Sequence, residues 1–362
     1  MASVLTHQMS VQEAESMPWT KPESGISRVT AAGKIISGKK QPNPEMSMDD
    51  ALNVAGNWRT AHGYPLHVFK QLLRSRAKRV DNRALVAQRL KRLPSIIAKL
   101  TRFHSMQLST MQDLGGCRAV VRRPSDVEAL VRIYESEPAT AAKFVGKKDY
   151  IAAPKSDGYR SVHLIYEYQG LSQGGAFQGL QIELQIRSRM QHAWATALET
   201  IDTFTDEALK SGLGNPSWKR FFELTSSAIA LAEKRPLVPG TPTDLEGIKT
   251  ELRPLCRELR VPDMFHGLSV GVKMLDTRLR RDTVAYILIL NSEKKVVGAE
   301  GFSAFDIASD RYMEMEKENL DKPHIQTVLV SVDSVDALKK AYPSYYLDAR
   351  SFARMIEKLL SQ

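Results

Sequence analysis

Asp113 and Glu183 are the two carboxylates around which chemistry can be built in this chain. Asp113 leads through Leu114-Gly115-Gly116-Cys117-Arg118 into a strand-like run, and Glu183 lies in a second run, Leu180 to Ile186, with Gln185 and then Arg187. Two carboxylates leaving strands of one mixed sheet can hold a divalent cation on a triphosphate. The glycines let a ligand approach the backbone, although an ordinary Asp-Gly turn before a strand has the same appearance. Between the carboxylates, Lys148-Asp149-Tyr150, Pro154-Lys155 and Gly158-Tyr159-Arg160-Ser161-Val162-His163 bring cations and aromatic rings. Tyr159 and His163 are four residues apart, which in a strand is one face, and Tyr159 can stack on a base. Phosphoryl-type transfer is mostly positioning and charge neutralisation, so it needs carboxylates, arginines and lysines together. A tyrosine or histidine in a strand is more often core than site. The joint occurrence points to a phosphorylated nucleotide held near a metal.

The elements that position these groups follow from pattern. The chain has 362 residues, 43% hydrophobic and 25% charged, which suits two globular domains. No apolar run is long enough to span a bilayer and no signal-peptide core begins the chain, so no membrane role and a cytoplasmic location are expected. Two cysteines, Cys117 and Cys256, without zinc-ligand spacing fit that location. A net charge of +10 points to an anionic partner.

Residues 1–47 form a polar extension with one short helix, Ile26 to Ile36, ended by Gly38. Helical pattern begins at Met48, and Pro65 breaks or restarts it. From Lys70 to Arg102 the chain is strongly basic, with Arg74, Arg76, Lys78 and Arg79 at its centre and Asp81 its only acid. Cations without acidic partners at helical spacing are not explained by i,i+4 pairing, so an anion-binding surface for polyphosphate or RNA backbone is expected. Ser125 is expected to cap a helix. Further helices follow from His192 and from Trp218. Three prolines and a glycine mark a linker at 235–243, separating a body at 48–234 from a C-terminal unit at 244–362. That unit reads as helix 244–259, hairpin 283–299, helix 305–319, strand 325–332 and helices around Pro343. The fold class is therefore α+β: a mixed sheet flanked by helices, followed by a small α+β domain.

Arg89-Leu90-Lys91 with Ser95 and Lys99, Asp113 to Arg118, Lys148 to His163 and Glu183 to Arg187 together resemble the RelA/SpoT synthetase family over roughly residues 57–233. That resemblance implies a nucleotidyltransferase-like domain that moves the β,γ-pyrophosphate of ATP onto a ribose 3′-hydroxyl, usually of GDP or GTP. It implies that Arg89 and Arg118 sandwich adenine, that Ser95 and Lys99 contact phosphates, and that Asp113 binds Mg²⁺. Lys155, Tyr159 and His163 would hold the acceptor. Glu183 would bind metal or accept the hydroxyl proton, supported by Gln185. Arg160 is a further phosphate candidate, and the role of His192 stays open. No His-Asp hydrolase motif precedes the region, so alarmone hydrolysis is not expected.

Trp58-Arg59, His62 to Leu66 and Ala87 to Arg92 resemble a narrower group, the toxic small alarmone synthetases. These place pyrophosphate on the 3′-CCA end of tRNA and so block aminoacylation. The basic block suits a tRNA acceptor arm, since A-form RNA is gripped through its phosphates. The linker, the C-terminal unit and Tyr342-Pro343-Ser344-Tyr345 resemble CapRel-type fused toxin–antitoxins. The implied role is antiphage defence, in which a phage capsid-like protein binds the C-terminal unit and lifts autoinhibition. There Tyr342 and Tyr345 would occupy the ATP site, a ring between Arg89 and Arg118 imitating adenine by cation–π stacking. Two alternatives stay open: a (p)ppGpp synthetase using GDP or GTP, and a non-catalytic RNA-binding module, against which intact Asp113, Tyr159 and Glu183 argue.

Overall fold

Local capping sets the first boundaries. Ser47 accepts from Asp50 N through its hydroxyl while the Asp50 carboxylate accepts from Ser47 N, a reciprocal cap that starts a helix. A computed structural model describes residues 19–139, 141–171, 175–205, 215–261, 273–274, 283–291, 293–294, 296–322, 324–331 and 349–361. Helix α1 (Ile26–Ile36) stops where Gly38 takes a φ of 72°. Helix α2 (Met48–Ala61) is followed at once by α3 (Gly63–Val80), with Pro65 in its first turn, where a missing N–H costs nothing. Of the two outcomes expected at Pro65, break or restart, the helix restarts.

The basic stretch is not one helix face. It is divided into the end of α3, strand β1 (Leu85–Leu90) and helix α4 (Leu93–Arg102). Strand β2 (Gly115–Val121) leads to α5 (Pro124–Ser136). The cap expected from Ser125 is not formed. Pro124 opens the helix, and the Asp126 carboxylate accepts from Arg123 N at 3.0 Å. Strands β3 (Ala142–Asp149), β4 (Val162–Tyr168) and β5 (Gln181–Ser188) follow, then α6 (Arg189–Thr205), α7 (Pro216–Glu233) and α8 (Leu245–Glu258). The rest comprises β6 (Lys273–Met274), β7 (Ala285–Asn291), β8 (Val296–Phe302), α9 (Phe305–Glu318), β9 (Ile325–Ser331) and α10 (Arg350–Ser361). Among the described residues no helix is long and apolar enough to cross a membrane.

The strands form one mixed sheet in the order β3-β4-β5-β2-β1-β9-β7-β8-β6. Strand β2 runs parallel to β5, whereas β1 is antiparallel to both β2 and β9. The α+β expectation of a mixed sheet flanked by helices holds. Strand β9 lies beside β1, with Arg89 opposite Val330, so the strands after the expected linker continue the same ladder. The stretch read as linker is itself tied down: Val238 N donates to Ser227 Oγ at 3.0 Å, and Arg235 pairs with Glu128 at 2.5 Å.

Alternation sends side chains to two faces. Cys117, Ala119, Leu164, Ile182, Leu184, Ile186, Ile287 and Leu329 enter one core with α1 to α5 and α9. Tyr286, Leu288 and Leu290 enter a second core with Trp194, Phe221, Phe222 and Phe352 from α6, α7 and α10. Strand residues of opposite parity near the middle of the sheet are left for chemistry.

Candidate active site

Glu183, Gln185 and Arg187 share the face of β5 opposite its core residues. Sheet register then places their neighbours. Glu183 lies between Ile165 of β4 and Gly116 of β2, and Gln185 lies between His163 and Arg118. Across β2, Gly116 faces Arg89 of β1. A side chain at Gly116 would meet nothing nearer than the Glu183 carbonyl at 4.0 Å, so this glycine leaves an open floor beside Glu183.

Five side chains close a hydrogen-bonded ring on that floor. Arg187 Nη2 donates to the Tyr159 hydroxyl at 2.5 Å, and that hydroxyl meets His163 Nε2 at 2.7 Å. His163 Nδ1 meets Glu183 Oε1 at 2.8 Å, and Glu183 Oε2 accepts from Gln185 Nε2 at 2.7 Å. Gln185 Oε1 accepts from Arg187 Nη2 at 3.0 Å, which completes the circuit. His163 Nδ1–H donates to the carboxylate, and the Tyr159 hydroxyl either donates to a bare Nε2 or accepts from Nε2–H; both satisfy every link. Burial, the largest single influence, pushes the Glu183 carboxyl up, but the hydrogen bond and charge of His163 together with the Gln185 hydrogen bond leave the group below its ordinary value.

Asp113 sits just before β2 and is gripped by two ammonium groups. Lys91 Nζ lies 3.0 Å from Oδ2 and Lys99 Nζ 2.9 Å from Oδ1. Burial again opposes ionisation, yet the two cations bring the carboxyl down to about 2. Burial holds Lys91 below its ordinary value despite its partner. The charge on Asp113 also raises Glu183, so the two carboxylates feel one another across the floor. Ser95, in the first turn of α4, lies four residues before Lys99 and so shares its helix face.

Tyr159 is placed by the glycine before it. Gly158 has a φ of 87° and is pressed so close to α7 that a Cβ would come within 2.9 Å of Ser226. The Ser226 hydroxyl donates to the Gly158 carbonyl at 2.6 Å. Lys155 Nζ lies 5.0 Å from the Tyr159 ring centre and 4.6 Å from that of Tyr150, and Arg187 Cζ is also 5.0 Å from the Tyr159 ring. These are cation–π distances.

The sequence candidates divide accordingly. Asp113, Glu183, Gln185, His163, Tyr159, Lys155 and Lys99 form two adjoining clusters, and Arg89 and Arg118 stand on strands beside them. Arg160 does not join them. It is buried beneath α7 with Nε on Ser226 Oγ at 2.9 Å, and burial lowers it to about 10. His192 is buried as well. Of the four basic-helix residues, Arg76 is buried, with Cζ 4.4 Å above the Tyr134 ring. Arg79 makes two 2.6 Å bonds to Glu137. The acids missing at helical spacing thus arrive from elsewhere in the chain. Lys78 is exposed and Arg74 half-buried. Lys78, Arg79, Arg83 and Arg122 line a cavity of about 420 Å³. Its one acid, Asp81, is committed to Arg83 N and Arg122 N, both at 2.9 Å. Tyr342 and Tyr345 lie outside the described residues.

Sequence reasoning gave no role to Lys91, Arg187 or Tyr150. Lys91 and Arg187 were legible by alternation, two residues beyond Arg89 and Gln185. Nothing in the local pattern signals the aromatic partnership of Tyr150.

Residues 88–201 match the family described as "Region found in RelA / SpoT proteins". The chain is 32% identical over 113 residues to the GTP pyrophosphokinase YjbM of Bacillus subtilis, covering 31% of this chain and 52% of that protein. It is 31% identical over 114 residues to the GTP pyrophosphokinase YwaC of the same organism, covering 30% and 52%. The chain therefore spans about half the length of these curated relatives. The small alarmone synthetase 1 structure from Bacillus subtilis aligns with a TM-score of 0.41 at 24% identity, over 48% of this chain and 88% of that one. Small alarmone synthetase 2 aligns at 0.42 and 20%, over 49% and 93%.

Proposed function

From a RelA/SpoT-type synthetase region at residues 88–201, we propose that the chain transfers the β,γ-pyrophosphoryl group of ATP to a nucleotide hydroxyl. The observation that carries this reading is the pairing of the closed ring around Glu183 with the Lys91–Asp113–Lys99 cluster on one sheet floor. Arg89 and Arg118 hold the adenine, and Ser95, Lys91 and Lys99 hold the triphosphate. Tyr159 stacks on the acceptor base, with Lys155 beside it. The acceptor hydroxyl loses its proton to Glu183 and its oxygen bonds to the β-phosphorus. The bond from that phosphorus to the oxygen bridging to the α-phosphate breaks, and AMP leaves. Glu183 can take that proton because His163 and Gln185 keep it ionised and aimed.

The donor set fits Mg²⁺: two hard carboxylates whose fields overlap, with remaining positions for phosphate oxygens and water. Asp113 and Glu183 would hold the ion, which would offset phosphate charge.

The acceptor in this reading is the 3′-hydroxyl of the tRNA CCA end. Its support is the cationic cavity of Lys78, Arg79, Arg83 and Arg122 at the end of β2 away from Asp113. Seven strand residues separate the two ends by roughly 20 Å, a span suited to a polymer backbone and beyond the needs of a mononucleotide. Such an activity blocks translation and serves antiphage defence, with a phage capsid-like protein as activator on 244–362 and Tyr342 and Tyr345 as the autoinhibitory element. A second reading, (p)ppGpp synthesis from GDP or GTP, is favoured by the names of YjbM and YwaC.

The test offers the full-length chain γ-³²P-labelled ATP, Mg²⁺, deacylated tRNA and GDP together. Label on tRNA that is lost in Lys78→Gln/Arg83→Gln/Arg122→Gln supports the tRNA reading. Label on GDP, unaffected by that variant, selects the second. Absence of label on either acceptor, with the phage activator supplied, refutes both.

A further inference from the structure

The first turn of α4 is held by a residue 223 positions further along the chain. Glu316 of α9 accepts from Leu93 N through Oε1 at 2.8 Å and from the Tyr312 hydroxyl at 2.9 Å. Its Oε2 pairs with Arg59 of α2, whose guanidinium carbon lies 4.7 Å from the Tyr312 ring centre. The Arg59 and Glu316 side chains are 1% and 2% exposed, so this pair is fully desolvated. Helix α4 has no local substitute. Arg92 makes no side-chain cap, Pro94 has no N–H, and the first turn contains no acid. A carboxylate there satisfies an orphan N–H and complements the helix dipole.

Strand β9 meanwhile pairs with β1 at Arg89. The C-terminal segment thus holds both halves of the β1–α4 unit: the strand carrying Arg89 through its ladder, and the helix carrying Ser95 and Lys99 through Glu316. We propose that Glu316 is a positioning residue for the ATP site, so that the C-terminal segment is a working part of nucleotide binding. This rests on the reading of Arg89, Ser95 and Lys99 as ATP-binding. Withdrawing the Glu316 oxygen frees the first turn of α4 to shift, and with it the ammonium group that faces Asp113.

The test compares Arg59→Met/Glu316→Gln with Arg59→Met/Glu316→Met in the full chain. Neither leaves a buried ion alone. Glutamine keeps an oxygen for Leu93 N, and methionine does not. Binding of a non-hydrolysable ATP analogue with Mg²⁺ is measured by calorimetry, with GDP or a CCA-ended RNA minihelix, whichever the parent binds, as the acceptor control. The glutamine variant should bind the analogue within about twofold of the parent, and the methionine variant about tenfold more weakly, the scale of one lost hydrogen bond. Acceptor affinity should be equal in both. Equal analogue affinity in the two variants overturns the proposal. Tighter binding by the methionine variant also overturns it, and would mark Glu316 as a phosphate competitor. If the methionine variant lacks a cooperative melt, Glu316→Asp decides, because it keeps the charge beside Arg59 while drawing the oxygen back by one methylene. Its analogue affinity should fall, and an unchanged value overturns the inference. A parent chain that binds no analogue, even when Tyr342→Ala/Tyr345→Ala removes the autoinhibitory rings, overturns the ATP-site reading itself, and this inference with it.

Discussion

Asp113→Asn should destabilise the protein at neutral pH by an amount that disappears in acid. Lys91 and Lys99 hold the carboxyl at about 2, against an ordinary value of 3.8. That depression corresponds to about 2 kcal/mol of folding stability. The sign follows from linkage. A carboxyl held low in the folded state stabilises it at every pH above 3.8, and the contribution is lost as pH falls from 3.8 toward 2. Asparagine never supplies it, and leaves two ammonium groups 18% and 27% exposed without their shared anion. Urea unfolding of the wild type and Asp113→Asn at intervals from pH 7 to pH 3 tests this. The expected gap is about 2 kcal/mol at pH 7 and 5, narrowing below pH 4. A gap unchanged at pH 3 would mean that shape, not charge, is at stake. Asp113→Asn as stable as wild type at pH 7 would refute the assignment of the two lysines as the cause. Transfer activity should fall about a hundredfold or more, because the group that places the lysines loses its charge.

Arg187→Met opens the ring at two links, so the acceptor KM should rise about tenfold while the ATP KM stays level; steady-state kinetics with each substrate varied would show the split, and equal rises would contradict it. Gly116→Ala adds a Cβ no nearer than 4.0 Å to the Glu183 carbonyl, so the thermal midpoint should hold while turnover falls about tenfold or more; intact turnover would show that no reacting group crosses that floor. Arg59→Met alone leaves Glu316 buried without a counter-ion and should cost about 3 kcal/mol or more in urea unfolding, whereas Arg59→Met/Glu316→Gln should recover most of it. A single variant as stable as the double one would contradict the cost of a buried, unpaired charge at Glu316.

Much of the site was legible because chemistry and alternation coincide. Glu183, Gln185 and Arg187 are spaced by two, so one strand puts all three on one face; Tyr159 lies ahead of β4, so the turn at Gly158 and not strand alternation brings its hydroxyl to His163. Lys91 follows Arg89 on the same logic, yet its partner Asp113 lies 22 residues away, and only the β1–β2 pairing brings them together. The partners of the basic stretch were hidden for a related reason. Charge counted along the sequence finds no acid at helical spacing from Arg79, but the fold brings Glu137 against it.

The amino-acid sequence by itself determined that the helix is interrupted at Pro65, the strand parity that separates Leu184 from Glu183 and the residue types of a phosphate site. These are properties of backbone sterics and of periods two and 3.6, which act within a few residues. Tertiary structure alone decided that β9 would lie against β1, that Arg76 would be buried on Tyr134 while Lys78 faces solvent, and that Glu316 would cap α4. Each depends on which apolar faces pack together across hundreds of residues. Burial then selects partners for the charges it traps, and no local pattern records that selection.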